Sequence, residues 1–161
     1  MLPNSAVPDE SPLKFIDRHA SRLVRSHRLL TGRDLLPPEI PDEELGAHLF
    51  GAPFVVVSHA VAADPVFNYG NQAALELFEM TWEEFTVLPS RLSAEPMHRD
   101  ERARLLEMVA RQGYIDDYRG IRISKTGRRF FIERATVWNV LEESGAVIGQ
   151  AATFGQWTPV E

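Results

Sequence analysis

The clearest pattern in the sequence is a pair of alternating segments, residues 114–124 and 128–138, separated by Lys125-Thr126-Gly127. Aromatic and β-branched residues recur in each segment between polar ones, which is typical of a β-strand. The glycine at the end of the connection favours a type I turn closed by a left-handed residue, and this turn pairs Ser124 with Arg128. The pattern therefore predicts an antiparallel hairpin with a defined register.

This register assigns each side chain of the hairpin to a face. On one face Arg119 lies opposite Glu133, so a charge pair is matched across the strands. The other face mixes arginines with aromatic rings, because the register opposes Tyr118 to Arg134, Gly120 to Ile132, Arg122 to Phe130 and Tyr114 to Trp138. Once the rest of the domain covers it, such a face predicts a pocket for an anionic or aromatic small molecule.

Three further strands are predicted outside the hairpin. Residues 54–58 form a continuous apolar run that indicates a central strand, and residues 66–69 follow as a second strand after the Asp64-Pro65 turn. Residues 146–157 are predicted as one last strand. The sequence therefore predicts five strands: two that precede the hairpin, the two of the hairpin, and one that follows it.

Helices are predicted before and between the strands. Ser11-Pro12 is a start signal and Gly32 a stop signal for a long amphipathic helix. Residues 42–50 are predicted as a short helix that ends at Gly51. Asn71 caps a short helix over residues 73–78, and Thr81 with Glu84 forms a capping box that starts another. The last predicted helix covers residues 99–112, ends at Gly113 and places Leu105, Leu106 and Val109 inward.

This order of elements predicts an α+β domain: a five-stranded antiparallel sheet with short helices on one face and an N-terminal helical arm. Residues 1–41 are read as a leader, an amphipathic helix and a proline-rich connector, and residues 42–161 as the compact domain. The apolar stripe of residues 12–31 is wider than a free helix leaves in water. We therefore expect a homodimer or a protein partner to bind through residues 12–31.

Composition narrows the possible functions. The 161 residues are 44% hydrophobic, enough for a real core, and carry a net charge of −6, which argues against binding to nucleic acid. No cysteine is present, so disulfides, thiolate metal sites and a cysteinyl-flavin adduct are excluded. Without a signal segment or an apolar stretch long enough to cross a bilayer, we expect a cytoplasmic protein that does not contact membranes.

Several blocks of sequence resemble one known family. They are residues 64–78, 88–96, 120–124, 127–130, 137–139 and 149–154, which together extend over most of residues 46–158. In these blocks the chain resembles the PAS domains and, more closely, the PAS-like MEKHLA domain family, although the six-letter string that names the family is absent. The resemblance implies the PAS fold, a cavity between sheet and helices into which Arg122, Ile132 and Arg134 point, and a sensory or regulatory role.

Six residues are the candidate ligand-binding set: Tyr118, Arg122, Ile132, Arg134, Trp138 and Arg91. Four of these candidates also have a purely structural interpretation. Arg134 is equally well explained by an ion pair with Asp116, and Arg91 by a solvated loop arginine. Tyr118 and Trp138 are typical core aromatics with a satisfied polar tip. Arg122 has no such simple explanation.

Cofactor and catalytic interpretations are weaker. No pair of histidines shows metal-ligand spacing, and His98 is the single candidate for a haem ligand, which we consider improbable. The preferred function is a non-enzymatic, stand-alone PAS-like sensor that binds a small ligand and signals through protein contacts. The alternative is a small isomerase or cyclase in which His98 or Asp116 acts as a base and Tyr118 as a polarising donor. Carboxylates that lie beside cations make poor bases near neutral pH.

Overall fold

An antiparallel sheet forms the centre of the structure, a computed structural model that describes residues 12–94 and 99–160. Its strands are β1 Val55–Ala60, β2 Phe67–Gly70, β3 Tyr114–Ile123, β4 Arg129–Leu141, β5 Val147–Phe154 and β6 Trp157–Val160. They lie in the order β2-β1-β5-β4-β3, and β6 pairs with β4. The described part of the chain thus confirms the predicted five-stranded sheet and adds one short strand.

The additional strand arises because the predicted last strand breaks after Phe154. β5 pairs with residues 136–141 of β4, whereas β6 pairs with residues 129–132. Along one edge of the long β4, the neighbouring strand therefore changes from β6 to β5 at residues 133–135. A β-bulge lies at this same place.

The described helices match the predicted ones closely. They are α1 Pro12–Thr31, α2 Leu45–Phe50, α3 Gln72–Phe78, α4 Trp82–Phe85 and α5 Arg99–Gln112, with 3-10 turns at Asp42–Glu44 and Ser90–Ser93. The predicted caps are confirmed: Asn71 Oδ1 accepts a hydrogen bond from the Ala74 amide at 3.1 Å, and Thr81 and Glu84 form the reciprocal capping box. The predicted cap Ser11 lies outside the described residues.

Helices cover both faces of the sheet. On the face that we call the inner face, α3, α4 and α5 pack through Phe78, Phe85 and Val109. On the opposite, outer face, α1 and α2 pack through residues such as Leu23 and Leu49. The sheet is therefore buried on both sides, with one hydrophobic cluster against each face.

Two compensating β-bulges interrupt the β3–β4 hairpin. The pairs at both ends have the predicted register: Tyr114 with Trp138, Ile115 with Val137, Gly120 with Ile132, Ile121 with Phe131 and Arg122 with Phe130. Between them, Tyr118 pairs with Ala135, so the predicted pairing of Tyr118 with Arg134 is wrong. One extra residue lies in β3 near Asp116, and one lies in β4 near Arg134, whose φ of 55° is left-handed.

Each bulge reverses the alternation of side chains along its strand, because an inserted residue shifts a period of two by one position. Ile132 and Ala135 both belong to the inner cluster, although three positions separate them. Tyr114 and Trp138 consequently pack in the outer cluster. The predicted pairs at that end of the hairpin are right, but their predicted face is wrong.

The hairpin turn has the predicted geometry and contacts the end of α3. Gly127 has φ 91°, and the Ser124 amide donates to the Arg128 carbonyl at 2.9 Å. Glu79, itself left-handed at φ 62°, accepts hydrogen bonds from the Ser124 hydroxyl at 2.6 Å and from the Thr126 hydroxyl. These hydroxyls, together with Arg128, lower the pKa of Glu79 to about 2. The turn is thus tied to the helical layer as well as to the sheet.

α1 lies across the outer face of its own sheet. Ala20 and Leu23 are fully buried, the Ser26 hydroxyl accepts from the Leu141 amide at 2.7 Å, and the His27 ring meets Trp138 edge-on at 4.9 Å. The stripe that we expected a second copy to cover is therefore covered within the chain. This removes the stated reason for a homodimer, and an assembly through residues 12–31 stays a prediction.

His19 is a buried polar group in the contact between α1 and the sheet. The Ser58 hydroxyl donates to Asn68 Oδ1 at 2.6 Å, so its oxygen accepts from His19 Nε2 at 2.8 Å. Burial, together with the charges of the neighbouring Arg22 and Arg18, lowers the pKa of His19 from 6.5 to about 4. The docked helix therefore requires a neutral imidazole.

We predict that acid weakens the fold through His19. Its stabilising contribution is complete above pH 6.5 and is lost as the pH falls through about 4, because only the unfolded chain takes up the proton in that window. Between pH 7 and 4 the free energy of unfolding should fall by about 3 kcal/mol more in the wild type than in His19→Gln. Urea titrations of both proteins across this range measure the difference, and parallel pH profiles would contradict the assignment.

Candidate functional site

A cavity of about 60 Å³ lies between α5 and the inner face of the sheet. Most of its wall is apolar and comes from Val57, Phe67, Phe78, Ile132, Val137 and Phe154. Its polar side chains are His59, Ser93, Arg102, Tyr118, Arg122 and Gln150. The cavity thus combines an apolar body with a group of hydrogen-bond donors.

Arg122 and Tyr118 reach the cavity from the same side of β3. The guanidinium carbon of Arg122 lies 5.2 Å from the centre of the Tyr118 ring, within the range of a cation–π contact. Gly120, between them in sequence, leaves the space that the ring needs, because a Cβ there would come within 2.8 Å of the Tyr118 hydroxyl. The glycine therefore lets Tyr118 lie along the strand towards Arg122.

Arg102 is a cavity residue that the sequence interpretation missed. It extends from the first half of α5 and donates to the Ser90 hydroxyl at 2.9 Å. Burial and, next, the charge of Arg122 lower the pKa of Arg102 to about 10, against the opposing effect of Tyr118. A signal was available in the sequence, since Arg102 stands three positions before Leu105 and shares its helix face.

His59 and Gln150 close the cavity on the strand side. His59 Nδ1 donates to the Ala60 carbonyl at 3.1 Å, and burial together with the charge of Arg102 lowers its pKa, against the effect of that hydrogen bond. Gln150 Nε2 donates to the Leu106 carbonyl at 3.0 Å and so connects β5 to α5. His59 is therefore neutral at pH 7 and close to the arginines.

Three of the six predicted site residues line this cavity: Tyr118, Arg122 and Ile132. Arg134 is exposed on the other side, because the bulge in β4 gives its inner position to Ala135. Trp138 is fully buried against α1, so its predicted place near the ligand is wrong for the same reason. Arg91 is exposed and pairs with Asp64 at 3.0 Å, away from the cavity wall.

The groups of the alternative, enzymatic interpretation are not brought together. Asp116 is exposed and accepts from Arg33 at 3.2 Å, whereas Tyr118 faces the cavity. His98, the other candidate base and the candidate haem ligand, lies outside the described residues. In the described ranges, no three His, Cys, Asp or Glu side chains cluster closely enough to hold a metal ion.

The antiparallel sheet, the helices across its inner face and the cavity between them define a PAS-like domain. The family model described as the MEKHLA domain matches residues 17–159. The chain therefore belongs to the MEKHLA domain family, as the sequence blocks had suggested. The match begins inside α1, which agrees with the packing of that helix on the sheet.

Curated relatives extend far beyond this domain. The chain is 26% identical over 143 residues to homeobox-leucine zipper protein ATHB-9 of Arabidopsis thaliana, covering 84% of this chain and 17% of that protein. It is 28% identical over 140 residues to HOX32 of Oryza sativa subsp. japonica, covering 83% of this chain and 16% of that protein. Because the chain spans less than a fifth of these relatives, their whole activities do not transfer to it. The exclusion of nucleic acid stays a prediction.

Solved structures support the fold. The PAS domain of a protein from Colwellia psychrerythraea matches 73% of this chain and 95% of that chain, with a TM-score of 0.61 and 13% identity. An RNA-binding light-oxygen-voltage receptor matches 74% of this chain and 35% of that chain, with a TM-score of 0.58 and 21% identity. A light-oxygen-voltage domain from a flavin-analogue study matches 73% and 85%, with a TM-score of 0.56 and 17% identity.

A flavin does not fit the cavity of this chain. Its volume of about 60 Å³ is far below the roughly 300–1,000 Å³ of pockets that enclose drug-sized ligands. The sequence also lacks the cysteine that a flavin adduct requires. Among the described helices, none is both long and apolar enough to cross a membrane.

The bulge in β4 yields a prediction of its own. Arg134 has a left-handed φ of 55°, a conformation that costs an ordinary residue about 1–2 kcal/mol and glycine nothing. Arg134→Gly should therefore leave the free energy of unfolding unchanged or raise it by up to about 1 kcal/mol. Glu133→Gly, one residue away, should lower it by about 0.5–1 kcal/mol because glycine weakens an ordinary strand position. Equal losses in the two variants would show that no bulge is present.

Proposed function

We propose that this domain is a non-enzymatic sensory module that binds a small carboxylate in the cavity and passes on its binding state through protein contacts. The observation that supports this best is the pair Arg102 and Arg122 on the cavity wall beside Tyr118. Planar guanidinium groups match the two oxygens of a carboxylate, and a tyrosine hydroxyl is a further donor.

The electrostatics of the cavity favour an anionic ligand. Both the burial of Arg102 and the charge of Arg122 lower the pKa of Arg102, so the charged form is disfavoured in this position. Of the residues described, no Asp or Glu lines the cavity. An anion between the two arginines would offset the repulsion and the lost hydration together.

The size of the cavity limits the ligand. A buried water needs about 10–15 Å³ by this measure of volume, so about 60 Å³ accommodates roughly four to six non-hydrogen atoms. Acetate, propionate and butyrate fall in this range, whereas an aromatic acid exceeds it. The apolar wall formed by Phe67, Ile132 and Phe154 suits a short hydrocarbon body behind the carboxylate.

The output would pass through β4 to α1. Val137 lines the cavity, and the next residue, Trp138, packs on the opposite face against His27 of α1. A ligand that displaces β4 would therefore also displace Trp138 and change its packing against α1, with no other element needed between them. The exposed side of α1, with Arg18, Arg25 and Leu29, is the surface that we assign to a protein partner or to a second copy.

Binding of short carboxylates tests the proposal. The best tiny ligands gain about 1.5 kcal/mol per atom, so four atoms correspond to a dissociation constant on the order of 40 µM or weaker. At about 100 times this constant the ligand should stabilise the fold by ~2.7 kcal/mol. Calorimetric titration and thermal unfolding with acetate, propionate and butyrate measure both effects.

Arg122→Met removes one guanidinium group from the cavity and should abolish the stabilisation while the variant stays folded. Arg119→Met is the matched control, because Arg119 is exposed on the same strand and should bind as the wild type does. If no short carboxylate binds the wild type, or if both variants lose binding equally, the proposal is wrong.

The pH dependence of binding provides an independent prediction. Burial and the charge of Arg102 lower the pKa of His59 in the free protein, and a bound carboxylate would raise it again. The complex would then hold more protons than the free protein, so affinity should increase as the pH falls below about 6.5, the ordinary pKa of histidine. Acetate titrations should show this slope in the wild type and a flat profile in His59→Gln. A slope that persists in the variant would assign the proton to another group.

A further inference from the structure

A surface groove of about 710 Å³ lies outside the cavity, between α5 and the loop that joins β1 to β2. Small aliphatic side chains form much of its wall: Ala60, Val61, Ala62, Ala103, Ala110 and Val147. Val61 and Val147 are 67% and 47% exposed, which is unusual for valines that lie together on one surface. The groove is large and apolar enough to hold a hydrocarbon chain.

The groove and the cavity share part of their walls. His59 and Gln150 on the strand side, and Arg102 and Leu106 on α5, line both spaces. These four side chains therefore lie between the cavity and the groove. A ligand whose carboxylate lies at the half-buried Arg102 is directly beside the groove.

We infer that the ligand class is a straight-chain aliphatic monocarboxylate of about six to ten carbons, with its head at Arg102 and Arg122 and its chain in the groove. The inference rests on the proposed function and extends it. The cavity accommodates only roughly four to six non-hydrogen atoms, so a longer acid must leave it, and the adjoining apolar surface is this groove. Positive charge at the inner end and aliphatic wall at the outer end complement the two ends of such an acid.

Chain length gives the decisive measurement. We expect the dissociation constant to fall from acetate to butyrate, hexanoate and octanoate, by about two- to fourfold for each methylene that enters the groove. Octanoate should bind at least about tenfold more tightly than butyrate. If the cavity alone holds the ligand, octanoate should instead bind more weakly than butyrate, since it does not fit. Calorimetric titration of the full chain below the micelle concentration of each acid distinguishes these two orders.

A groove variant and a matched control test whether the hydrocarbon chain of the ligand lies in the groove. The double variant Val61→Asn with Val147→Asn should weaken octanoate at least about fivefold and leave acetate within about twofold, because only the groove loses apolar surface. Val87→Asn is the control, since Val87 is similarly exposed, at 72%, and lies outside the groove. The control should bind both acids as the wild type does. Arg122→Met should lose both acids.

The possible outcomes separate the two proposals. If acetate binds but octanoate is no tighter than butyrate, the inference is wrong and the proposed function stands. If no acid binds, both are wrong. If octanoate still binds Arg122→Met, its carboxylate does not lie at Arg122, and the inference is wrong. Light scattering that shows a wild-type dimer broken by the groove variant would make the groove an interface between copies, which also overturns it.

Discussion

The paired bulges of the β3–β4 hairpin determine what each face of the sheet does. Without the insertion in β4, Arg134 would take the inner position of Ala135 and Trp138 would face the cavity rather than α1. With it, the inner face keeps Tyr118 and Arg122, and the outer face gains the large ring on which α1 packs. Cavity and helix docking are therefore two consequences of one change in strand register.

Two partly desolvated cations, Arg102 and Arg122, lie in the otherwise largely apolar cavity wall, and the surrounding structure holds them in place. Arg102 is fixed by the Ser90 hydroxyl, and Arg122 lies over the ring of Tyr118, which itself needs the space left by Gly120. Helix α5 is in turn connected to β5 through Gln150. Under the proposed function, this fixed geometry would let the donor cluster receive an anion without rearrangement, and the anion would offset the effects that lower the pKa of Arg102.

Elements governed by local chemistry could be predicted from the sequence. The Asn71 cap, the Thr81 capping box and the left-handed Gly127 depend on neighbouring residues only, and all three are confirmed. The bulges could not be predicted, because they follow from packing on both faces at once and Arg134 carries no signal for a left-handed φ. Arg102 was missed for a different reason. The helical spacing places it on the same face as Leu105, but that face was identified from its apolar residues alone, and a cation does not belong to such a pattern.

The central claim is that Arg102 and Arg122 together hold a carboxylate inside the sheet-and-helix cavity. The most direct measurement follows the side-chain Nε–H resonances of the arginines by NMR while propionate is added. We expect the signals of Arg102 and Arg122 to shift with one common dissociation constant, whereas those of Arg119 and Arg134 should stay unchanged. Shifts at Arg134 without shifts at Arg102 and Arg122 would contradict both the bulged register and the site.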